Sequence, residues 1–452
     1  MRYLPHTPEE IDAMLQTVGA ESLDALFAPI IPLEARRTEP LDVGPALDEP
    51  GLMRHMEDLA SRNTGAAMLS FLGAGAYDHH IPPAVDQLLL RNEFYTAYTP
   101  YQAEVAQGTL QAIFEFQTMV SELFGLPLAN ASMYDGASAA AEAVLMVRRM
   151  TKRPNVVLSE GVAPEYREVI ATYLRTIGLA ESGLVTIPVD RDGNDDVAAI
   201  SRALSPEVAV VVLGYPSFFG TVGDVRTLTE RAHGAGAQLV TATAEPYALA
   251  LLESPGALGV DIAVGEGQAI ACPPQFGGPG VGLFACRESR ETLQQIPGRL
   301  CGQTVDQNGK PGYVLTLVTR EQFIRRERAT SNICTNQGLL ALAFTIRAAL
   351  LGKQGFQETA RHCLAKAEYL KSKVAALPGF SLPYGNAKTF NEFVVRVPGN
   401  AADLVARAQE QGVLAGYALG QIDAGRANVL LIAVTERHTR GDLDRLVMVL
   451  AT

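Results

Sequence analysis

The sequence predicts an α/β fold, with a large domain on a mostly parallel sheet followed by a smaller C-terminal α+β domain. Two patterns carry the prediction. Between Tyr95 and Arg287, helix-period segments alternate with short apolar runs bounded by Gly, Pro or Asp, as a two-sided parallel sheet requires. Beyond about Arg325 the texture changes to a long helix and then isolated strands and helices. A chain of 452 residues with 48% hydrophobic content supplies core for one to three domains and excludes a disordered protein.

The expected partition is an N-terminal arm over 1–65, the large domain over 66–320 and the small domain over 321–452. In the arm, Thr7-Pro8-Glu9-Glu10 places a cap residue before proline and acids, and Ile11, Met14 and Leu15 follow at helical spacing. Pro29, Pro32, Pro40, Pro45 and Pro50 then break helices, so 28–50 reads as an extended strap. Gln102 to Phe124 is a helix by the spacing of Val105, Leu110, Ile113, Phe116, Val120 and Leu123, and Gly125 suits its left-handed cap. Strands are expected at Asn155–Leu158, Leu184–Pro188, Val208–Leu213, Gln238–Thr243, Asp261–Val264 and Val281–Cys286. The small domain reads as a helix through Leu339–Leu351, strands Asn391–Val397 and Val429–Val434, and helices Ala401–Glu410 and Arg440–Leu450.

Thirty-seven basic against 49 acidic residues give a net charge of −12, which repels phosphate backbones and excludes nucleic acid as the expected partner. The N-terminus lacks an apolar signal core, and no stretch offers about 18 uninterrupted apolar residues, so neither export nor a membrane is expected. Cys272, Cys286, Cys301, Cys334 and Cys363 make neither a disulfide framework nor a CxxC knuckle, which fits the cytoplasm. Of seven histidines only His79 and His80 adjoin, and no metal site is expected.

Three segments can carry chemistry. In Met133 to Glu142, Gly136, Ala137 and Ser138 open a helix whose free N–H groups suit a phosphate, or else the small residues serve close packing. In Val264 to Gly280, Gly277, Gly278 and Gly280 free the backbone while prolines stiffen it, which suits a ligand loop or an interdomain turn. In Arg91 to Glu104, Tyr95, Tyr98 and Tyr101 stand three apart before a helix, as a stacking surface for a planar ligand or a contact between subunits.

These segments, together with Ser70 to Pro82, Phe276-Gly277-Gly278-Pro279-Gly280 and Ala329 to Thr335, resemble the alpha subunits (subunit 1) of glycine decarboxylases, the P-proteins of the glycine cleavage system. The resemblance runs through essentially the whole chain in order. It implies the aspartate-aminotransferase-like fold of pyridoxal-phosphate enzymes (fold type I), with a seven-stranded large domain and an active site between subunits. It further implies an alpha2-beta2 heterotetramer whose beta chain holds pyridoxal phosphate on a lysine. Glycine is decarboxylated there, and its aminomethyl group passes to the lipoyl arm of H-protein.

The residues themselves argue against catalysis by this chain. Its lysines are Lys152, Lys310, Lys353, Lys366, Lys371, Lys373 and Lys388, none between 152 and 310. The cofactor's chemistry needs an amine to anchor it. By the resemblance, counting back from Gly280, the lysine position holds Gln268, and the position of the acid that protonates the pyridine nitrogen holds Thr243; Glu245 lies two residues on. The expected role is to complete the partner's site with Tyr95, Tyr98, Tyr101, Gly277 and Gly278, leaving Gly136, Ala137 and Ser138 as a vestigial phosphate cradle. Asp78 and His79 stand as interface or channel residues of second rank. Arg328 is a carboxylate-binding candidate, against the alternative that Arg325, Arg326 and Arg328 with Glu321 and Glu327 form a solvated charged helix end. Two other classes compete: a purely structural pseudoenzyme, and an independent homodimeric pyridoxal-phosphate enzyme, against which the missing lysine argues.

Overall fold

The computed structural model describes residues 5–178 except 38 and 40, 183–315 except 276, and 322–452. Pro40, Phe276 and Glu321 of the segments above lie outside the described residues. The chain forms two compact units, Met1–Ala66 and Ala67–Thr452.

In the first unit, Thr7 and Glu10 form a reciprocal capping box on the helix Pro8–Val18, which ends at Gly19 in the left-handed region. Asp48 caps a second long helix, Glu49–Ser61, with Pro50 in its first turn. Neither helix buries a residue. Val18, Ile30, Val43, Leu52 and Met53 are all exposed.

The second unit begins with β1 (Leu69–Ser70) and continues through β2 (Leu128–Ala129), β3 (Asn155–Ser159), β4 (Leu184–Ile187), β5 (Val208–Gly214), β6 (Gln238–Thr243), β7 (Ile262–Glu266) and β8 (Gly282–Cys286). Strands β2 to β8 make one seven-stranded sheet in the order β2-β8-β7-β6-β5-β3-β4. All pairs are parallel except those of β8, which runs antiparallel to β7 and β2. Every residue of β5 is buried, which accounts for its unbroken apolar run. Alternate residues feed two cores. Val157, Val211, Leu213, Leu239, Ala263 and Leu283 face one side, with Phe116 and Phe344. Val156, Leu158, Val210, Val212, Val240 and Val264 face the other, under the Ala-rich helix Gly136–Thr151.

Two helix limits differ from those expected. Gln102 to Val105 is not part of the helix that ends at Gly125: a short 3₁₀ turn covers Ala103–Val105, Ala106 leaves helical geometry, and the helix runs Gln107–Phe124. Val105 fits the apolar period but is solvent-exposed, so the period overran the element. The helix expected at Leu339–Leu351 instead spans Gly338–Ala375, with Gly352 as a non-helical break at φ 59°. Among the described residues this one helix is long and apolar enough to cross a membrane. It buries Ala341, Phe344 and Arg347, and Phe344 meets Phe116 edge-on at 5.3 Å, so it acts as a core helix.

A hairpin of β9 (Cys301–Val305) and β10 (Pro311–Leu315) follows the large sheet. The C-terminal lobe contains β11 (Glu392–Arg396), β12 (Val413–Leu414), β13 (Tyr417–Ala418) and β14 (Val429–Ala433), with β11, β14 and β13 in one antiparallel sheet. β1 pairs with β12 in parallel, so residues 69–70, placed with the large domain by sequence, belong to this lobe's architecture. Phe71 joins Phe393, Val395, Leu430, Ile432 and the end of the long helix in its core. The lobe meets the large sheet closely. At Gly220, φ 79°, a Cβ would lie 2.0 Å from the carbonyl oxygen of Glu392, so only glycine fits this joint.

Candidate functional site

Parallel sheets present ligands at the carboxyl ends of their strands. Here the loops after β3, β5 and β6 enclose a cavity of ≈ 20 Å³ among Tyr77, Tyr166, Gly214, Ser217, Glu245 and Glu392. That is room for about one water molecule.

Thr243 ends β6 fully buried, and its hydroxyl donates to the carbonyl of Tyr215 at 2.8 Å. It carries no acid and has no free donor. Gln268 opens the single-turn helix Gln268–Ala271 after β7, with its amide Nε2 donating back to the carbonyl of Cys272. An amide so placed neither forms a covalent bond to a carbonyl cofactor nor projects into the cavity, whose lining it does not join.

The helix Gly136–Thr151 does begin where the small residues suggested. Asp135 caps it, accepting from the Ser138 N–H at 2.7 Å, while the Asp135 N–H donates to Ser138 Oγ at 3.2 Å. Gly136 N–H donates to Glu266 Oε2 at 3.0 Å. Of the cradle of Gly136, Ala137 and Ser138, the first and last N–H groups are therefore already engaged by two carboxylates of this chain. Burial pushes the Glu266 carboxyl up to about 7, against the pull of the N–H groups of Val281, Gly136 and Gln268.

His79 lies at the centre of a buried charged cluster. Its Nε2 is 2.9 Å from Glu245 Oε2, its Nδ1 is 2.6 Å from Glu436 Oε2, and its ring stacks on Tyr247 at 4.3 Å. Burial alone would lower the His79 pKa, but Glu245 and the hydrogen bonds around the ring carry it well above the usual histidine value. Burial likewise works against Glu436, yet His79 and the His80 N–H hold its carboxyl down at about 2. Glu245 also accepts from Asn391 at 3.0 Å, so it faces the C-terminal lobe and does not replace the acid missing at Thr243. Donor atoms of His79, Cys363 and Glu436 lie within 4.8 Å of one another. Both imidazole nitrogens already meet carboxylates, and burial pushes the Cys363 thiol up to about 11, which disfavours the thiolate that a metal takes. Asp78 points the other way, to an ion pair with Arg437 at the surface.

The tyrosines stand on a separate surface. Tyr95, Tyr98 and Tyr101 are exposed, Tyr98 at 80%. Arg299 donates to Tyr101 Oη at 3.1 Å and to the Cys334 carbonyl at 2.7 Å. Thr99 meets Thr335 through their hydroxyls at 3.1 Å. The tyrosine segment and Ala329–Thr335, far apart in sequence, thus converge beside a groove of ≈ 170 Å³ that includes Tyr95, Tyr98, Ile113 and Leu339. Gly277 and Gly278 are exposed on another loop. Among the described residues, that loop shares neither a hydrogen bond nor a cavity with the tyrosines. Arg328 lies exposed on the 3₁₀ turn Arg326–Arg328.

Sequence reasoning did not single out Glu266, Tyr166, Glu392, Tyr77 or Glu436. The one available signal was an acid ending the apolar run of β7, two residues before Gln268.

Among the described residues, those at the positions the resemblance points to do not fit pyridoxal phosphate: Gln268 offers no amine, Thr243 no acid, and the Gly136 and Ser138 N–H groups are already taken. The surrounding fold nevertheless is that of such enzymes. The chain superimposes on a crystal structure of glycine decarboxylase (P-protein) of the glycine cleavage system in inhibitor-bound form, with a TM-score of 0.91 and 42% identity over 100% of this chain and 99% of that one. A Burkholderia pseudomallei sphingosine-1-phosphate lyase, 16% identical with a TM-score of 0.64 over 94% of this chain and 93% of its own, shares the fold, which is fold type I of the pyridoxal-phosphate enzymes. A probable glycine dehydrogenase (decarboxylating) subunit 1 of Sorangium cellulosum is 64% identical over 100% of this chain and 99% of its own. Its counterpart in Anaeromyxobacter dehalogenans is 51% identical over 97% of each chain. The glycine cleavage system P-protein family profile matches residues 1–450, and the chain belongs to that family.

Proposed function

We propose that this chain is the non-catalytic subunit of a two-subunit glycine dehydrogenase (decarboxylating) that acts in the cytoplasm. A lysine-bearing partner, the beta subunit, holds pyridoxal phosphate covalently in an alpha2-beta2 assembly and passes the aminomethyl group to lipoylated H-protein. The observation that carries the reading is Gln268, tied down by the Cys272 carbonyl where the family resemblance places the anchoring lysine. Bound pyridoxal phosphate supplies an electron sink for loss of carbon dioxide from glycine. This chain's contribution is steric and electrostatic. The exposed tyrosines present flat faces and phenol donors to the partner, and the loop at Gly277 and Gly278 presents backbone unshielded by side chains.

Two measurements test this. Pyridoxal phosphate is added to the chain alone and with its partner, followed by borohydride reduction and peptide mapping. Label confined to the partner is expected; a labelled lysine in this chain would restore the independent-enzyme reading. Separately, Tyr98→Ala is expected to slow glycine-dependent carbon dioxide exchange by about 10-fold or more while the complex still assembles, the scale of one positioning contact. Unchanged exchange for this variant, and for Tyr95→Ala and Tyr101→Ala made singly, would favour the purely structural role.

A further inference from the structure

Three backbone N–H groups converge on one carboxylate at the head of the helix Gly136–Thr151. Glu266 Oε2 accepts from Gly136 at 3.0 Å, and Oε1 accepts from Gln268 at 2.9 Å and Val281 at 2.8 Å. The three donors come from three separate places: the first turn of a 16-residue helix, the turn after β7, and the return of the glycine-rich loop. Such a convergence at a helix N-terminus is the arrangement that binds an anion. A second observation shows that the cradle is larger than a carboxylate needs. Tyr166 is only 7% exposed, and its hydroxyl has no hydrogen-bond partner. That hydroxyl lies against the residue that opens the helix and donates to Glu266, because a Cβ on Gly136 would stand 1.9 Å from Tyr166 Oη. Glu266 has two oxygens, already accepting three N–H groups, and leaves the phenol unserved. A tetrahedral anion has oxygens enough for all four donors. Asp135 keeps its own Oδ1 on the Ser138 N–H, and Gly280 walls the opposite side, where a Cβ would stand 3.0 Å from Glu266 Oε2.

We propose that Glu266 is an intramolecular stand-in for a phosphate group, which permanently occupies this chain's own anion cradle and closes it to phosphate esters, pyridoxal phosphate included. The inference goes beyond the subunit role above and does not depend on it. It concerns a pocket inside this chain, whereas that role rests on surfaces turned to a partner.

The test uses the full chain and inorganic phosphate as probe. Wild type is expected to take up no phosphate in equilibrium dialysis, and its Tm in phosphate should match that in chloride of equal ionic strength. Glu266→Ala is expected to bind one phosphate per chain, with a Tm that climbs with the logarithm of phosphate concentration once the site saturates. Crystals of that variant should show the anion against the Gly136 and Val281 N–H groups. A folded Glu266→Ala without uptake overturns the proposal. Should that variant not fold, the wild type still decides: stoichiometric, non-covalent uptake of phosphate or pyridoxal phosphate, with density at the same N–H groups, overturns it, and absence of uptake upholds the closed pocket. Because none of these readouts involves a partner or turnover, failure here leaves the subunit reading untouched.

Discussion

Replacing His79 with leucine is expected to destabilise the chain by about 3–5 kcal/mol, the cost of removing one partner from a buried ion pair. The imidazole is wholly buried between Glu245 and Glu436, whose carboxylates approach it at 2.9 and 2.6 Å. Without it, two negative groups remain inside the protein, served by Asn391 and the Tyr247 N–H at Glu245 and by the His80 N–H and the Cys363 thiol at Glu436. Urea unfolding of the purified chain measures the loss. His79→Leu combined with Glu245→Gln should recover part of it, because neutralising one carboxylate removes the repulsion; a single variant that loses less than about 1 kcal/mol would show that the cluster is not a working ion pair.

Thermal stability should peak near pH 5 and fall towards pH 8. Burial raises Glu142, Glu266 and Glu392 from 4.5 to about 7. A raised folded pKa means that stability is fully present below 4.5 and lost as pH climbs through about 7. For each group the shift corresponds to at most about 3 kcal/mol. His79, raised well above 6.5, acts in the same direction, its contribution fading as pH passes its folded value. Glu436 opposes them at the acid end. Its pKa falls from 4.5 to about 2, so its stabilisation is present above 4.5 and lost as pH drops through about 2. The two families cross between about 4.5 and 7. Calorimetric Tm values at pH 5 and 8 in one buffer series test the sign, and a higher Tm at pH 8 would contradict it.

The gap between Lys152 and Lys310 is a fact of composition along the chain, legible without any fold. The resemblance points to Gln268 and Thr243 for the two expected positions, and the structure adds what each side chain does: one hydrogen-bonds to the carbonyl of Cys272, the other to that of Tyr215. The cradle at Gly136 was visible as a helix start, but its occupant was not. Glu266 is 130 residues away along the chain, and only the order of the sheet, which sets the end of β7 near the start of the helix that follows β2, brings the two together.

What the sequence determined by itself is the local architecture: the unbroken apolar run of β5, the Thr7–Glu10 capping box, the left-handed stop at Gly125, and the helices Ala401–Glu410 and Arg440–Leu450. Each of these depends on neighbours within about four residues, where side-chain period and backbone preference act. What only the tertiary structure decided is the pairing of β1 with β12, the junction at Gly220, the charged cluster around His79 and the closing of the cradle by Glu266. Those depend on which strand lies beside which after long connections, and burial, which is a property of the packed whole, is what turns an ordinary acid on one strand into the partner of a helix or a histidine on another.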